Sequence, residues 1–305
     1  MQIDPELAAT VAAVIDEGSL DAAARRLSVT PSAVSQRLKS LESQLGRVLV
    51  VRSRPVRATG AGEAVVRLAR QIALLEHEAV AALGIDGGPG QRVSIPLAVN
   101  GDSLSTWFLP PLARLSAAQG IDFDLHRDDQ DFTARLLETG TVMAAVTSES
   151  SPVAGCTATS LGAIEYEPMA SPAFFDRWFP DGVTADALLR APFVVLDRRD
   201  DLQHEWLRGW GVADLGVPRH YVPASHDFAT AVQLGLGWGL LPQMQSSTAA
   251  ASGDLVRLPG ESVRVAHYWQ QWNLQSTVLD AIAAEIIAEA RRVLVCAHSA
   301  DAVGS

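Results

Sequence analysis

Eight basic side chains crowd residues 24–59: Arg25, Arg26, Arg37, Lys39, Arg47, Arg52, Arg54 and Arg57, against the single acid Glu42. The whole chain has 24 Lys and Arg against 35 Asp and Glu, a net charge of −11, so a local charge of +7 stands beside a remainder of −18. Such an island binds a polyanion where it lies and repels one elsewhere. Arginine supplies 23 of the 24 basic residues. Its planar fork suits phosphates and guanine edges better than an ammonium does.

The elements that must hold these side chains are short helices. Ser19–Leu27 reads as one helix, Ser28-Val29 as a turn, and Thr30-Pro31 as the start of a second helix running to Leu45. Thr30 suits the N-cap, and Pro31 the first helical position, where no N–H is needed. The layout is a helix-turn-helix, whose second helix enters the DNA major groove. Val34, Leu38, Leu41 and Leu45 are spaced 4, 3, 4 and face a small core, and Gly46 stops the helix. Thr30 then stands at the entrance to the groove. Ser32, Ser35, Gln36 and Arg37 are the expected base or near-base contacts, with Arg25, Arg26, Lys39, Arg52, Arg54 and Arg57 on phosphates or in the minor groove. Val48–Val51 followed by Arg52-Ser-Arg-Pro-Val-Arg57 reads as a β-wing, and Pro5–Glu17, ended by Gly18, as a first helix.

Thr59-Gly60-Ala61-Gly62 punctuates the chain before a long helix to Leu83. Its apolar positions Val65, Leu68, Ile72, Leu75, Ala79 and Ala82 are spaced 3, 4, 3, 4, 3, a heptad seam. On a helix-turn-helix protein such a seam pairs two DNA-reading heads on a symmetric operator. Ile85–Gly90 reads as a flexible linker.

Beyond it strands alternate with helices. Strands are expected at 92–99, 121–127 and 143–148, and at 156–161 and 164–170 on either side of a hinge at Gly162-Ala163. Further strands fall at 193–196, 220–222, 239–241, 255–258 and 263–269. Helices are expected at 103–118 and 132–137, from Leu202, from Asp227, and at Thr277–Val295. This alternation predicts open α/β sheets, which take ligands where strand ends meet helix starts.

Several function classes are excluded. No run reaches the roughly 18 apolar residues of a membrane span. The acidic start Met-Gln-Ile-Asp-Pro-Glu is no secretory signal, which with the basic head argues against a secreted binding protein and for the cytoplasm. Cys156 and Cys296 are far apart and form no metal-ligand spacing. Gly235-Leu-Gly-Trp-Gly239 lacks the spacing of a dinucleotide fingerprint, His204-Glu205 lacks a second histidine four residues on, and no nucleophile–base set stands out. An enzyme and a resident cofactor or metal are not expected.

The runs Ala22-Ala-Ala-Arg-Arg-Leu27, Val29-Thr-Pro-Ser-Ala-Val-Ser-Gln-Arg-Leu38, Leu41-Glu42, Leu45-Gly46 and Arg57-Ala-Thr-Gly-Ala-Gly62 resemble the head of the LysR-type transcriptional regulators. The region beyond is similar to that family's effector domain, two α/β lobes like those of periplasmic binding proteins. The resemblance implies an α/β protein with an all-α winged helix-turn-helix at residues 1–58, a linker and dimerisation helix at 59–90 and an effector-binding domain at 91–305. Its lobe I covers about 91–162 and 263–297, its lobe II about 163–262.

Val99-Asn-Gly-Asp-Ser-Leu-Ser-Thr-Trp107, Phe179-Pro-Asp-Gly182, Leu188–Pro192 and Tyr268-Trp269 resemble the arginine- and lysine-responsive branch. That branch implies a small-molecule effector, lysine or arginine, a homodimer or homotetramer, a double-stranded DNA operator, contact with RNA polymerase, and control of an amino-acid exporter gene. The branch also includes an inhibitor of chromosome initiation, which keeps open an effector-independent, architectural DNA-binding role that blocks replication initiation.

A basic amino acid needs donors for its carboxylate and acidic or neutral acceptors for its two cationic ends. Ser103-Leu-Ser105-Thr106 opens a helix after the first strand, flanked by Asn100 and Asp102. Asp128 and Asp129 follow the second strand, Glu149 ends another, and Asp227 precedes a helix. Asn100, Asp102, Ser103, Thr106, Asp128, Asp129, Glu149 and Asp227 are therefore the candidate effector residues; Ser103 and Asp227 serve equally as helix caps, and 128–131 as a solvated turn. Trp107 and Trp269 are assigned to the core.

Overall fold

The structure, a computed structural model, describes residues 2–84, 92–127, 130–213 and 216–296. Asp128, Asp129 and the linker expected at 85–90 lie outside the described residues.

The head is built from α1 (Pro5–Asp16), α2 (Leu20–Arg26), α3 (Pro31–Leu45), β1 (Val50–Val51), β2 (Arg57–Ala58) and α4 (Gly60–Ala82). Each helix starts at a short polar cap: Asp4, Ser19, Thr30 and Thr59 accept from the backbone N–H of Glu6, Ala22, Ala33 and Gly62. Val34, Leu38 and Leu41 of α3 are buried with Val11 and Val14 of α1 and Val65 and Val66 of α4. Each such side chain is worth about 1.5–3 kcal/mol relative to exposure. β1 and β2 pair antiparallel, Val51 opposite Arg57, and form the predicted wing. The first turns of α4 spend their apolar face on this head core. Leu68 and Ile72 are half-buried, and Leu75, Ala79 and Ala82 are exposed.

Along the rest of the chain follow β3 (Val93–Val99), α5 (Gly101–Thr106), α6 (Leu109–Gln119), β4 (Ile121–Arg127), α7 (Gln130–Glu138), β5 (Ala144–Thr147) and β6 (Cys156–Ala170). Next come α8 (Pro172–Trp178), α9 (Ala185–Arg190), β7 (Phe193–Val195), α10 (Leu202–Gly209), β8 (Arg219–Tyr221) and α11 (Ser225–Gln233). The chain closes with β9 (Gly239–Pro242), α12 (Gln243–Ser252), β10 (Val256–Arg257), β11 (Val263–Trp272) and α13 (Thr277–Val293). Two compact units form: Met1–Val99 with Leu112–Ala158 and Trp269–Glu285, and Asn100–Pro111 with Thr159–Tyr268 and Ile286–Ser305.

In the first unit β3 pairs in parallel with β4 and β5. The same unit holds α4 through its polar residues. Arg67 donates to the carbonyl of Glu138, Arg70 to those of Gly140 and Thr141, and Arg70 also meets Asp16 of α1 at 2.5 Å. Glu78 accepts from Ser276 Oγ at 2.7 Å and from the backbone N–H of Val278 at 2.9 Å, at the start of α13. In the second unit β6 pairs antiparallel with β9 and β10, and β7 with β8 in parallel. Its core gathers Phe174, Phe179, Phe193, Trp206 and Trp238, with the Trp206 and Trp238 rings 4.9 Å apart.

Four expectations are corrected. The single helix expected at 103–118 is two, α5 and α6, separated at Trp107-Phe108. Pro110 and Pro111 open α6, and proline lacks the N–H and crowds the residue before it, so a helix must restart there. The strands expected on either side of a hinge at Gly162-Ala163 are one strand, β6. Gly162 is there for close approach: at φ +117 a Cβ would sit 2.7 Å from the Val295 carbonyl oxygen, where Ala163 and Val295 exchange backbone hydrogen bonds. The helix expected from Asp227 begins at Ser225, so Asp227 lies inside the first turn and is no cap. Finally α8, α9 and α12 form where no helix was expected.

Candidate functional site

On the head, α3 presents Ser32, Gln36 and Lys39 to solvent along one stripe, while Ser35 and Arg37 are half-buried. Thr30 is spent as N-cap and also bonds Ser32 Oγ at 2.9 Å. The positive charge is less free than the sequence suggests. Arg37 meets Glu6 at 2.5 Å, and Arg26 meets Asp16 at 3.1 Å and Glu17 at 3.6 Å. All three acids belong to α1 or its C-terminal cap and lie outside the basic stretch. Arg25, Lys39, Arg47, Arg52, Arg54 and Arg57 are exposed and carry no ion pair among the described residues. Arg52, Arg54 and Arg57 extend the wing, whose base is held by Glu42: its Oε1 accepts from the buried Leu49 N–H at 2.8 Å. The one acid of the island is therefore a structural acceptor.

The second unit brings together a compact polar cluster around α5. Asn100 is its N-cap: Oδ1 accepts from Ser103 N–H at 3.0 Å, and Nδ2 lies 2.8 Å from His267 Nε2. His267 Nδ1 lies 2.9 Å from the Val265 carbonyl, which can only accept. The proton is therefore on Nδ1, and Nε2 accepts from Asn100. Burial lowers the His267 pKa from its ordinary value, against the opposing pull of the Val265 hydrogen bond and the Asp102 charge.

Asp102 Oδ2 accepts from the buried Tyr166 hydroxyl at 2.6 Å. Burial, then the Asp102 charge and hydrogen bond, then the Asp200 charge, hold the Tyr166 pKa well above 10.0. Asp200, in the turn after β7, accepts from Leu196 and Leu202 N–H at 3.1 Å each. Burial pushes its pKa up against those two bonds, and the charges of Asp102 and Asp197 push the same way. Neither Asp102 nor Asp200 has a basic partner among the described residues. Ser105 Oγ lies 3.0 Å from Ser225 Oγ at the start of α11, and Gln245 of α12 donates to the Ser225 carbonyl. Ser103 is fully buried, its hydroxyl without a partner among the described residues. Thr106 is committed to the α5 backbone through the Asp102 carbonyl at 2.6 Å.

Of the candidate effector residues, the structure thus groups Asn100, Asp102, Ser103 and Thr106. Asp227 is exposed in the first turn of α11. Glu149 is an exposed residue of the first unit, where Gln270 donates to its carbonyl at 2.9 Å. Trp107 and Trp269 are buried. Sequence reasoning missed Tyr166, Asp200, Ser225, Gln245 and His267. The Asp197–Asp201 run at the carboxyl end of β7 carried a usable signal, because ligands of α/β sheets collect at such ends. Among the described residues no helix is long and apolar enough to cross a membrane, and no group of three or more His, Cys, Asp or Glu could hold a metal ion.

A winged helix-turn-helix head joined by a long helix to α/β units with a polar cluster at a strand end defines a ligand-responsive DNA-binding regulator. Comparison with known proteins makes the class specific. The helix-turn-helix profile of bacterial regulatory proteins of the lysR family matches residues 6–63, and the LysR substrate binding domain matches residues 90–297. The chain belongs to the LysR family of bacterial transcriptional regulators, and its relatives are named as regulators, not enzymes. It is 44% identical over 281 residues to the HTH-type transcriptional regulator LysG of Mycobacterium tuberculosis, covering 92% of this chain and 91% of that one. The crystal structure of ArgP from Mycobacterium tuberculosis superposes with a TM-score of 0.83 at 43% identity, over 97% of this chain and all of that one. Full-length LysG from Corynebacterium glutamicum with bound effector Arg gives 0.73 at 36% identity, over 96% of this chain and all of that one.

Proposed function

We propose that this regulator senses a basic amino acid, arginine or lysine, at the α5 cluster of its second unit. The carrying observation is the pair Asp102 and Asp200: two carboxylates that raise each other's cost of ionisation, one accepting from the Tyr166 hydroxyl, with no basic partner among the described residues. Like charges held together in a partly buried place are costly, and a cationic ligand relieves that cost. The arginine bound to the Corynebacterium glutamicum relative supports the same chemistry. The division into a head at 1–58, a linker at 59–90 and an effector domain at 91–305 belongs to this reading. So do a cytoplasmic dimer or tetramer, a double-stranded operator, contact with RNA polymerase and control of an exporter gene. The head contacts DNA through Ser32, Ser35, Gln36 and Arg37 on bases and through Arg25, Arg26, Lys39, Arg52, Arg54 and Arg57 on the backbone, with Thr30 fixing the entry of α3.

Calorimetry with arginine, lysine and the neutral analogue citrulline tests the effector. Arginine or lysine should bind, and Asp102→Asn should weaken binding roughly 10- to 150-fold, the worth of about 1.5–3 kcal/mol for a hydrogen bond to a charged group. Equal affinity for citrulline, or an unchanged Asp102→Asn variant, refutes the assignment.

A further inference from the structure

His267 sits in β11 and is hydrogen-bonded to Asn100, the N-cap of α5, and so decides how that turn is held. Val265 O takes the Nδ1 proton, Nε2 takes the Asn100 Nδ2–H, and this fixes Asn100 with Oδ1 toward Ser103 N–H. A second proton on the ring would set an N–H against the Asn100 NH₂, two donors face to face. The amide would then have to turn or withdraw, and the Ser103 N–H would lose its acceptor.

We propose that His267 is a positioning residue whose neutral imidazole, through Asn100, holds the α5 turn in its effector-binding form, so that protonation of His267 releases the effector. The inference rests on the reading of Asp102 as a cation-binding residue. The charged group that faces the imidazole is Asp102, from α5; Tyr166, from β6, and Asp200, from the turn after β7, act on Asp102. Among the described residues Asp102 is the one charge that favours the imidazolium, and burial opposes it. A cationic effector on Asp102 takes that support away. Effector binding and His267 protonation are therefore antagonistic, and linkage requires each to weaken the other by the same factor.

The expected form follows from population arithmetic. If only the neutral-His267 state binds, apparent Kd rises toward about tenfold per pH unit below the imidazole pKa, one unit of slope in log Kd for one proton. Titration of arginine into the full-length protein from about pH 7.5 down through the imidazole titration, which burial moves to lower pH than usual, is compared with the His267→Gln variant, whose amide can accept from Asn100 and donate to Val265 without titrating. The slope should fall by one unit in the variant. An equal slope in both proteins assigns the pH dependence to a group other than His267 and overturns the proposal. Two measurements on the unmutated protein stand beside it. The Ser103 amide should lose hydrogen-exchange protection as the His267 ring titrates in NMR spectra, and saturating arginine should move that titration to lower pH. Ser103 protection that stays constant through the imidazole titration refutes the relay by itself. Absence of arginine binding at pH 7.5 instead refutes the effector reading of Asp102, and the release with it.

Discussion

Replacing Glu42 by alanine should loosen the wing, although the change removes the single acid of the basic stretch 24–59. Glu42 projects from α3, and its Oε1 accepts from Leu49 N–H at 2.8 Å. Leu49 is wholly buried, and its carbonyl accepts from Thr59 N–H at 2.9 Å, so it ties the end of α3 to the cap of α4. Truncation leaves that N–H without its acceptor, at a cost of about 1–3 kcal/mol. Local opening at Leu49 should rise roughly 5- to 150-fold, since about 1.4 kcal/mol is a factor of ten. Amide hydrogen exchange at Leu49 and Val50 reads this directly. Glu42→Gln keeps an acceptor but loses the charge, which accounts for about half the strength of such a bond, so its exchange should fall between the two. It also removes a negative charge, raising the net charge of the head by one, and its affinity for DNA at low salt should not drop. If Glu42→Ala exchanges like the unmutated protein, or Glu42→Gln is as loose as Glu42→Ala, the assignment of Glu42 as the acceptor of the wing is wrong.

Two further outcomes follow from the head. Arg54→Ala should weaken binding to all DNA sequences alike and lower the slope of log affinity against log salt by about 0.9, the value for one phosphate no longer neutralised. An unchanged slope in fluorescence anisotropy removes Arg54 from the residues that touch the DNA backbone. Gly62→Ala would place a Cβ 2.0 Å from the Leu49 carbonyl oxygen, whereas Gly60→Ala meets nothing within 4 Å. Thermal melting of the head should show a loss of at least about 1–3 kcal/mol for the first and none for the second; equal melting points would contradict the packing at Leu49.

How much of this could be read in advance depends on the range of the interaction. Thr30-Pro31, Ser19 and Thr59 announced helix starts, and Val34, Leu38 and Leu41 announced a buried stripe, because capping and periodicity act over a few residues. The heptad spacing of α4 was visible too, but its partners were not: Val65 entered the head core, and Arg67, Arg70 and Glu78 turned out to grip the ends of α7 and α13. The charge census placed a basic surface on the head. It missed that Glu6 and Asp16, outside the counted stretch, neutralise Arg37 and Arg26.

The amino-acid sequence alone determined the helix-turn-helix, the wing, the basic surface and the α/β alternation, since each is written in neighbouring residues. Only the tertiary structure decided which carboxylates are left without a cation among the described residues and which histidine is hydrogen-bonded to the cap of α5. Asp102 and Tyr166 are 64 residues apart, and Asn100 and His267 are 167. Such pairs are joined by packing of the sheet and its helices, a long-range outcome that no local pattern of residue types encodes.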